Sequence, residues 1–202
     1  MMPAPLLEAL KELAAARRWR GHMPGHKGRS LPGMPQDPAL IDFTELNGTG
    51  NLYLADGPIF KAETLAAAAF GAPCCAFLTG GATQGIHAAL RLCARAGETV
   101  LVDRACHLSV ENALAFFDLR PDRLPRRIIP RFGIADAVRP EDVAAALDLN
   151  PDIRAFILTS PTYYGVISPV SDIAEICRER GVKLVVDEAH GAHLPFLPGF
   201  GA

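Results

Sequence analysis

Lysine is scarce in this chain of 202 residues: Lys11, Lys27, Lys61 and Lys183 stand against sixteen arginines. No lysine follows Lys183, so any chemistry that needs an amine late in the chain has no donor there. Charge of one sign is also lacking, since 20 basic and 22 acidic side chains leave a net −2. Without a basic stripe, nucleic acid and anionic membrane are excluded as expected partners. No run approaches the ~20 apolar residues of a membrane span, and Met1-Met2-Pro3-Ala4-Pro5-Leu6-Leu7 has no charged leader segment. A cytoplasmic location is the expectation. The five cysteines (Cys74, Cys75, Cys93, Cys106, Cys177) are odd in number and lack CxxC spacing, which argues against a zinc site or a disulfide framework.

What is present is a half-apolar composition with 21% charged residues, enough to bury one sizeable core. Leu6, Leu7, Leu10, Leu13 and Ala14 recur at helical spacing, and Arg17, Arg18 and Arg20 close the pattern, so the spacing predicts an amphipathic helix to about Trp19. Residues 21–51 are rich in Gly, Pro and His without a period, too long for a routine connection. Residues 1–50 are therefore expected to form an arm and loop, and 51–202 a major domain.

Beyond the loop, helices are predicted over 58–70, 83–96, 108–117, 140–147 and 170–180. Strands are predicted over 75–79, 99–102, near 127–130, 155–159 and 183–186. Apolar strands alternating with helices imply an α/β fold in three layers, with a mostly parallel sheet covered on both faces.

Ligands of such folds bind beyond the carboxyl ends of the strands, where three polar constellations fall. In Thr79-Gly80-Gly81-Ala82-Thr83-Gln84-Gly85 an apolar run enters a helix through two glycines, and the first-turn N–H groups can hold a phosphate; plain packing of a glycine turn is the alternative. In Asp103-Arg104-Ala105-Cys106-His107-Leu108-Ser109, His107 can lie flat on an aromatic ligand, or Ser109 can simply cap a helix. In Asp187-Glu188-Ala189-His190-Gly191-Ala192-His193 a carboxylate ends a core strand, where a protonated heterocyclic nitrogen would keep it ionised. A metal held by His190 and His193, or a helix-capping Asp187 with solvated histidines, are the alternatives, although no third metal ligand is evident and the glycine disfavours an HExxH-type helix.

Taken with His22-Met23-Pro24-Gly25-His26-Lys27-Gly28, Thr44-Glu45-Leu46, Gly71-Ala72 and Thr159-Ser160-Pro161-Thr162-Tyr163-Tyr164-Gly165, these motifs follow the order and spacing of one family. From about Arg20 onward the chain resembles the Orn/Lys/Arg decarboxylases, pyridoxal phosphate (PLP) enzymes of the aspartate aminotransferase-type fold. The resemblance implies that Gly81, Ala82 and Thr83 hold the cofactor phosphate, that His107 stacks on the pyridine ring, that Asp187 pairs with the ring nitrogen and that His190 flanks it. Asp187 and His190 would be the catalytic members. It also implies a basic amino acid as substrate, a place in polyamine metabolism, and a homo-oligomer when complete. Ornithine, lysine and arginine are not distinguished.

Two features depart from the family pattern. An Asn-Gly followed by two hydroxyl residues is replaced by Gly80-Gly81-Ala82-Thr83, which leaves one hydroxyl. The family's Schiff-base lysine lies in a Ser-x-His-Lys motif past the Asp-Glu-Ala-His strand, and the sequence ends before it. The chain is accordingly expected to be a truncated major domain: a fragment of an active enzyme, a split subunit, or a non-catalytic remnant. An aminotransferase or carbon–sulfur lyase of the same fold is the other reading. If PLP binds, none of the four lysines is expected to attach it covalently. Borohydride reduction followed by peptide mass spectrometry checks this, and an adduct on one specific lysine overturns it.

Overall fold

The computed structural model describes residues 3–29, 32–33 and 38–199. Parts of the expected loop, residues 30–31 and 34–37, lie outside the described residues, as do 1–2 and 200–202. The chain divides into two compact units between Phe77 and Leu78.

In the first unit, helix α1 spans Pro5–Ala15 and packs against α2, Gly57–Ala69. Pro5 suits the first helical turn, where its missing N–H is not needed, and Glu8 reaches back to accept from the Ala4 N–H at 3.1 Å. The helix stops four residues short of the expected Trp19, because Arg17 adopts a left-handed φ of 48° that no helix can continue. The loop that follows is held by Arg20. Its guanidinium lies 4.0 Å over the Phe43 ring and donates to the Ala39 and Leu40 carbonyls.

The second unit is a three-layer α/β/α body. Strands β1 (Thr99–Asp103), β2 (Arg120–Leu124), β5 (Ile153–Thr159) and β6 (Lys183–Asp187) form a wholly parallel sheet in the order β2-β1-β5-β6. A short antiparallel pair, β3 (Ile128–Ile129) and β4 (Ile134–Ala135), lies outside it. Helices α3 (Gly81–Cys93), α4 (Leu108–Phe116), α5 (Pro140–Leu149) and α6 (Val170–Glu179) cover its faces.

Alternation of side chains along the strands divides the core in two. Val100, Val102, Ala155, Ile157 and Val185 face α3 and α4, joined by Leu90, Val110 and Ala113. Leu101, Phe156, Leu158 and Leu184 face the other way, onto Val143 and Leu147 of α5 and Ile173 and Cys177 of α6. The long apolar runs of β1 and β5 are explained by this double cover.

Two expectations about strands need correction. Residues 75–79 form no ladder: Phe77 and Leu78 remain exposed, and the Phe77 N–H donates to the Glu63 carboxylate at 2.8 Å instead of to a neighbouring strand. Conversely, Arg120-Pro121-Asp122-Arg123-Leu124 is strand β2 despite its polarity and its proline. It occupies a sheet edge, where one face and one row of backbone groups meet water and proline is tolerated. The strand expected near 127–130 shrinks to Ile128–Ile129.

One buried ion pair ties these elements together. Asp103, at the end of β1, is wholly enclosed and accepts from Arg126 Nε at 2.6 Å and Nη2 at 2.5 Å, from the Ala105 N–H at 3.0 Å and from the Thr159 N–H at 3.1 Å. Arg126 also donates to the Asp136 and Thr159 carbonyls. Replacing Asp103 with Ala strands a buried guanidinium, and a loss of about 3–5 kcal/mol in unfolding free energy is expected. Urea denaturation of the variant measures it; replacing both partners with apolar residues should destabilise less than the single change.

Candidate functional site

The carboxyl ends of β5 and β6, the start of α3 and the turn before α4 enclose a cleft of about 500 Å³. Gly81, Ala82, Thr83, His107, Asp187 and His190 all line it, so six residues drawn from three separate motifs converge.

Gly81 opens α3 with φ 67°, a left-handed value that favours glycine; open space surrounds the position a Cβ would take, so conformation and not crowding is the constraint. The turn is exposed, and no side chain caps the helix from in front. Gln84 instead reaches back, its Oε1 accepting from the Gly80 N–H at 2.8 Å. The first-turn N–H groups of Ala82 and Thr83 have no intrahelical partner and lie beside the cleft, a donor set suited to an anion.

His107, not Ser109, is the N-cap of α4. Its Nδ1 accepts from the Ser109 N–H at 3.1 Å and is also 2.9 Å from the Ser109 hydroxyl. Because a backbone N–H donates to Nδ1, the ring proton resides on Nε2, and the imidazole is held in one orientation at the cleft wall.

Asp187 closes β6 and is buried, with Oδ1 accepting from the Ala189 N–H at 3.1 Å. Its other oxygen has no protein partner among the described residues. The turn after it is locked by Gly191, whose N–H donates to the Glu188 carbonyl at 2.7 Å; a Cβ there would lie 2.3 Å from Pro161 Cδ. Exposed His190 packs edge-on against Tyr163, with centroids 5.6 Å apart.

His193 does not line the cleft, and no group of three or more His, Cys, Asp or Glu among the described residues is placed to hold a metal ion. Lys183 lies at the far end of β6, its Nζ directed at the Leu92 and Cys93 carbonyls that end α3. No lysine is among the residues that line the cleft.

Sequence reasoning missed Thr159 and Cys106 as cleft residues. Thr159 stood inside a quoted motif without a role. Its Oγ1 is the single buried side-chain polar atom without a hydrogen bond among the described residues. A cleft with an orphan hydroxyl, a half-satisfied carboxylate and an open helix N-terminus suits a ligand with an anionic group at one end and a hydrogen-bond donor at the other.

Residues 4–200 match the family model described as Orn/Lys/Arg decarboxylase, major domain. The chain belongs to this family. An arginine decarboxylase of Halalkalibacterium halodurans is 34% identical over 185 residues, which are 87% of this chain and 37% of that protein. Another arginine decarboxylase, from Bacillus subtilis, is 30% identical over 202 residues, covering 95% of this chain and 40% of that one. The chain thus spans about two fifths of the curated relatives it matches. Among solved structures, the E. coli constitutive lysine decarboxylase superposes with a TM-score of 0.79 over 97% of this chain and 30% of its own, at 22% identity, a likeness of fold.

Within this decarboxylase major domain, Cys106 is a thiol withdrawn from chemistry at neutral pH. Burial first, then the charges of Glu111 and Asp103, push its pKa up to about 11 against the opposing pull of Arg123. At pH 8 about one part in a thousand is thiolate. Alkylation of Cys106 by iodoacetamide is therefore expected to lag exposed Cys74 and to accelerate about tenfold per pH unit until about 11. Site-resolved mass spectrometry across pH 7–10 checks the slope, and a flat profile contradicts it.

Proposed function

We propose that this chain forms the cofactor-holding part of a PLP-dependent decarboxylase that converts ornithine, lysine or arginine to the amine and carbon dioxide. The observation that carries the proposal is a single cleft that joins the open N-terminus of α3 to the carboxylate of Asp187. Those two groups, one cationic in character and one anionic, suit the two ends of the same small molecule.

Each residue contributes a distinct interaction. Ala82 and Thr83 offer backbone N–H groups, and Thr83 a hydroxyl, to the phosphate. With Ala82 where a second hydroxyl is usual, the backbone bears most of that load. His107, its ring fixed through Ser109, would pack against the face of the pyridine. Asp187 would hold the proton on the ring nitrogen. His190, supported by Tyr163, would flank the ring. PLP, when bound, supplies a pyridinium that delocalises the electron pair left on Cα as carbon dioxide departs. The chain's share is electrostatic: a carboxylate that keeps the ring cationic at the moment charge develops. Cytoplasmic location and a role in polyamine metabolism fit the same reading. Among the described residues no helix is long and apolar enough to cross a membrane.

Decarboxylation by a PLP-loaded enzyme of the relatives' full length that contains this chain tests the proposal, with release of carbon dioxide from carboxyl-labelled ornithine, lysine and arginine measured above the rate given by free PLP. Asp187→Asn preserves shape and removes the charge, and is expected to lower turnover by about 10²-fold or more. Near-normal turnover in this variant would rule out the electrostatic role of Asp187. Asp187→Ala should in addition weaken PLP binding by at least about tenfold, followed by the absorbance of the bound cofactor.

A further inference from the structure

Thr159 presents an anomaly that the proposed function does not use. Its hydroxyl is buried without a partner, a state that proteins rarely leave unresolved because it forfeits a hydrogen bond made in the unfolded chain. Mobility is not the reason. The Thr159 N–H donates to Asp103 and its carbonyl accepts from Arg126, so the backbone at this residue is clamped by the enclosed ion pair. The side chain is thereby held at the end of β5 while its hydroxyl remains unspent.

An unspent acceptor opposite it is identified by the sheet register. Thr159 is paired with Asp187 across the β5–β6 ladder. Directly paired residues project from the same face, with their Cβ atoms about 5 Å apart. Both line the cleft. Asp187 uses Oδ1 for the Ala189 N–H and has no protein partner on Oδ2 among the described residues. A donor without an acceptor therefore stands across the ladder from an acceptor without a donor.

We infer that Thr159 is the positioning residue for Asp187: its hydroxyl donates to the carboxylate when a cationic ring nitrogen engages that carboxylate, and so fixes the orientation of Asp187 toward the bound ring. The role parallels that of outer hydrogen-bond partners which orient ligating groups at metal centres. It rests on the PLP reading above and extends it to a residue that does not itself touch the reacting atoms. In the ligand-free chain the hydroxyl is idle; in the loaded chain it is engaged. A threonine serving packing alone would be equally important in both.

That difference defines the experiment, performed on the full 202-residue chain with PLP as the probe. Thr159→Val keeps the shape and deletes the hydroxyl. Without PLP, its urea midpoint is expected to equal or exceed that of the parent, since an apolar isostere relieves an orphaned polar group. With PLP, affinity is expected to fall about tenfold, the worth of one hydrogen bond to a charged group. The absorbance band of the bound cofactor should also lose its protonated-ring character at lower pH than in the parent. Thr159→Ser, which restores the hydroxyl, should return affinity to within about threefold. A lower midpoint of Thr159→Val in the absence of PLP overturns the inference by showing the hydroxyl already engaged. Unchanged PLP affinity and unchanged spectral pH profile in Thr159→Val, with the parent binding normally, overturn it while leaving the PLP reading intact. Failure of the parent chain to bind PLP removes both.

Discussion

The enclosed pair of Asp103 and Arg126 is the interaction on which the working end of the sheet depends. Arg126 sits on the strand-free stretch after β2, Asp103 ends β1, and the guanidinium continues to the carbonyl of Thr159 at the end of β5. Three neighbouring segments are thus clamped at the edge where the cleft begins. Two charges withdrawn from water repay their desolvation only when nearly every donor and acceptor is used. Here the carboxylate accepts four hydrogen bonds and the guanidinium donates four. The pair is better understood as a registration device than as a source of stability, because an apolar replacement could fill the volume but could not dictate where three chain ends lie.

The cleft inherits its geometry from that clamp and from two helix starts. At α3 the helix begins in the open, its first N–H groups facing outward for want of a side-chain cap. At α4 the cap is an imidazole that spends Nδ1 on the helix and keeps its ring at the cleft wall. Helix-terminal chemistry therefore does two jobs: one terminus is left incomplete and becomes a donor set, the other is completed by a group with an aromatic face. Between them Asp187 supplies the opposite sign.

Much of this was legible in the residues themselves. β1, β5 and β6 read correctly as apolar runs because both of their faces are covered, and the glycine turn before α3 reads correctly because positive φ has few substitutes. The convergence of Gly81, His107 and Asp187 followed from the rule that loops at one end of a parallel sheet come together. What did not show was long-range pairing. Nothing local marks Arg126 as buried among the many arginines of its neighbourhood, since its partner lies 23 residues away. β2 was hidden by its edge position, which removes the apolar pattern that betrays a strand. The apolar stretch 75–79 misled for the converse reason: β-propensity states what would suit a sheet, not whether a partner strand is there to receive it. Thr159 was invisible because the absence of a hydrogen bond is a property of three dimensions only.

Gly191 has a meaning beyond its own turn. It is buried, and its missing Cβ is replaced by the ring of Pro161, so the loop after β5 and the loop after β6 nest without a gap. Two surface loops that in most α/β proteins can lengthen or vary separately are here a single mechanical part. Any change that alters the outline of one must be matched in the other, and the pair confronts the evolution or redesign of specificity at this cleft as one inseparable unit.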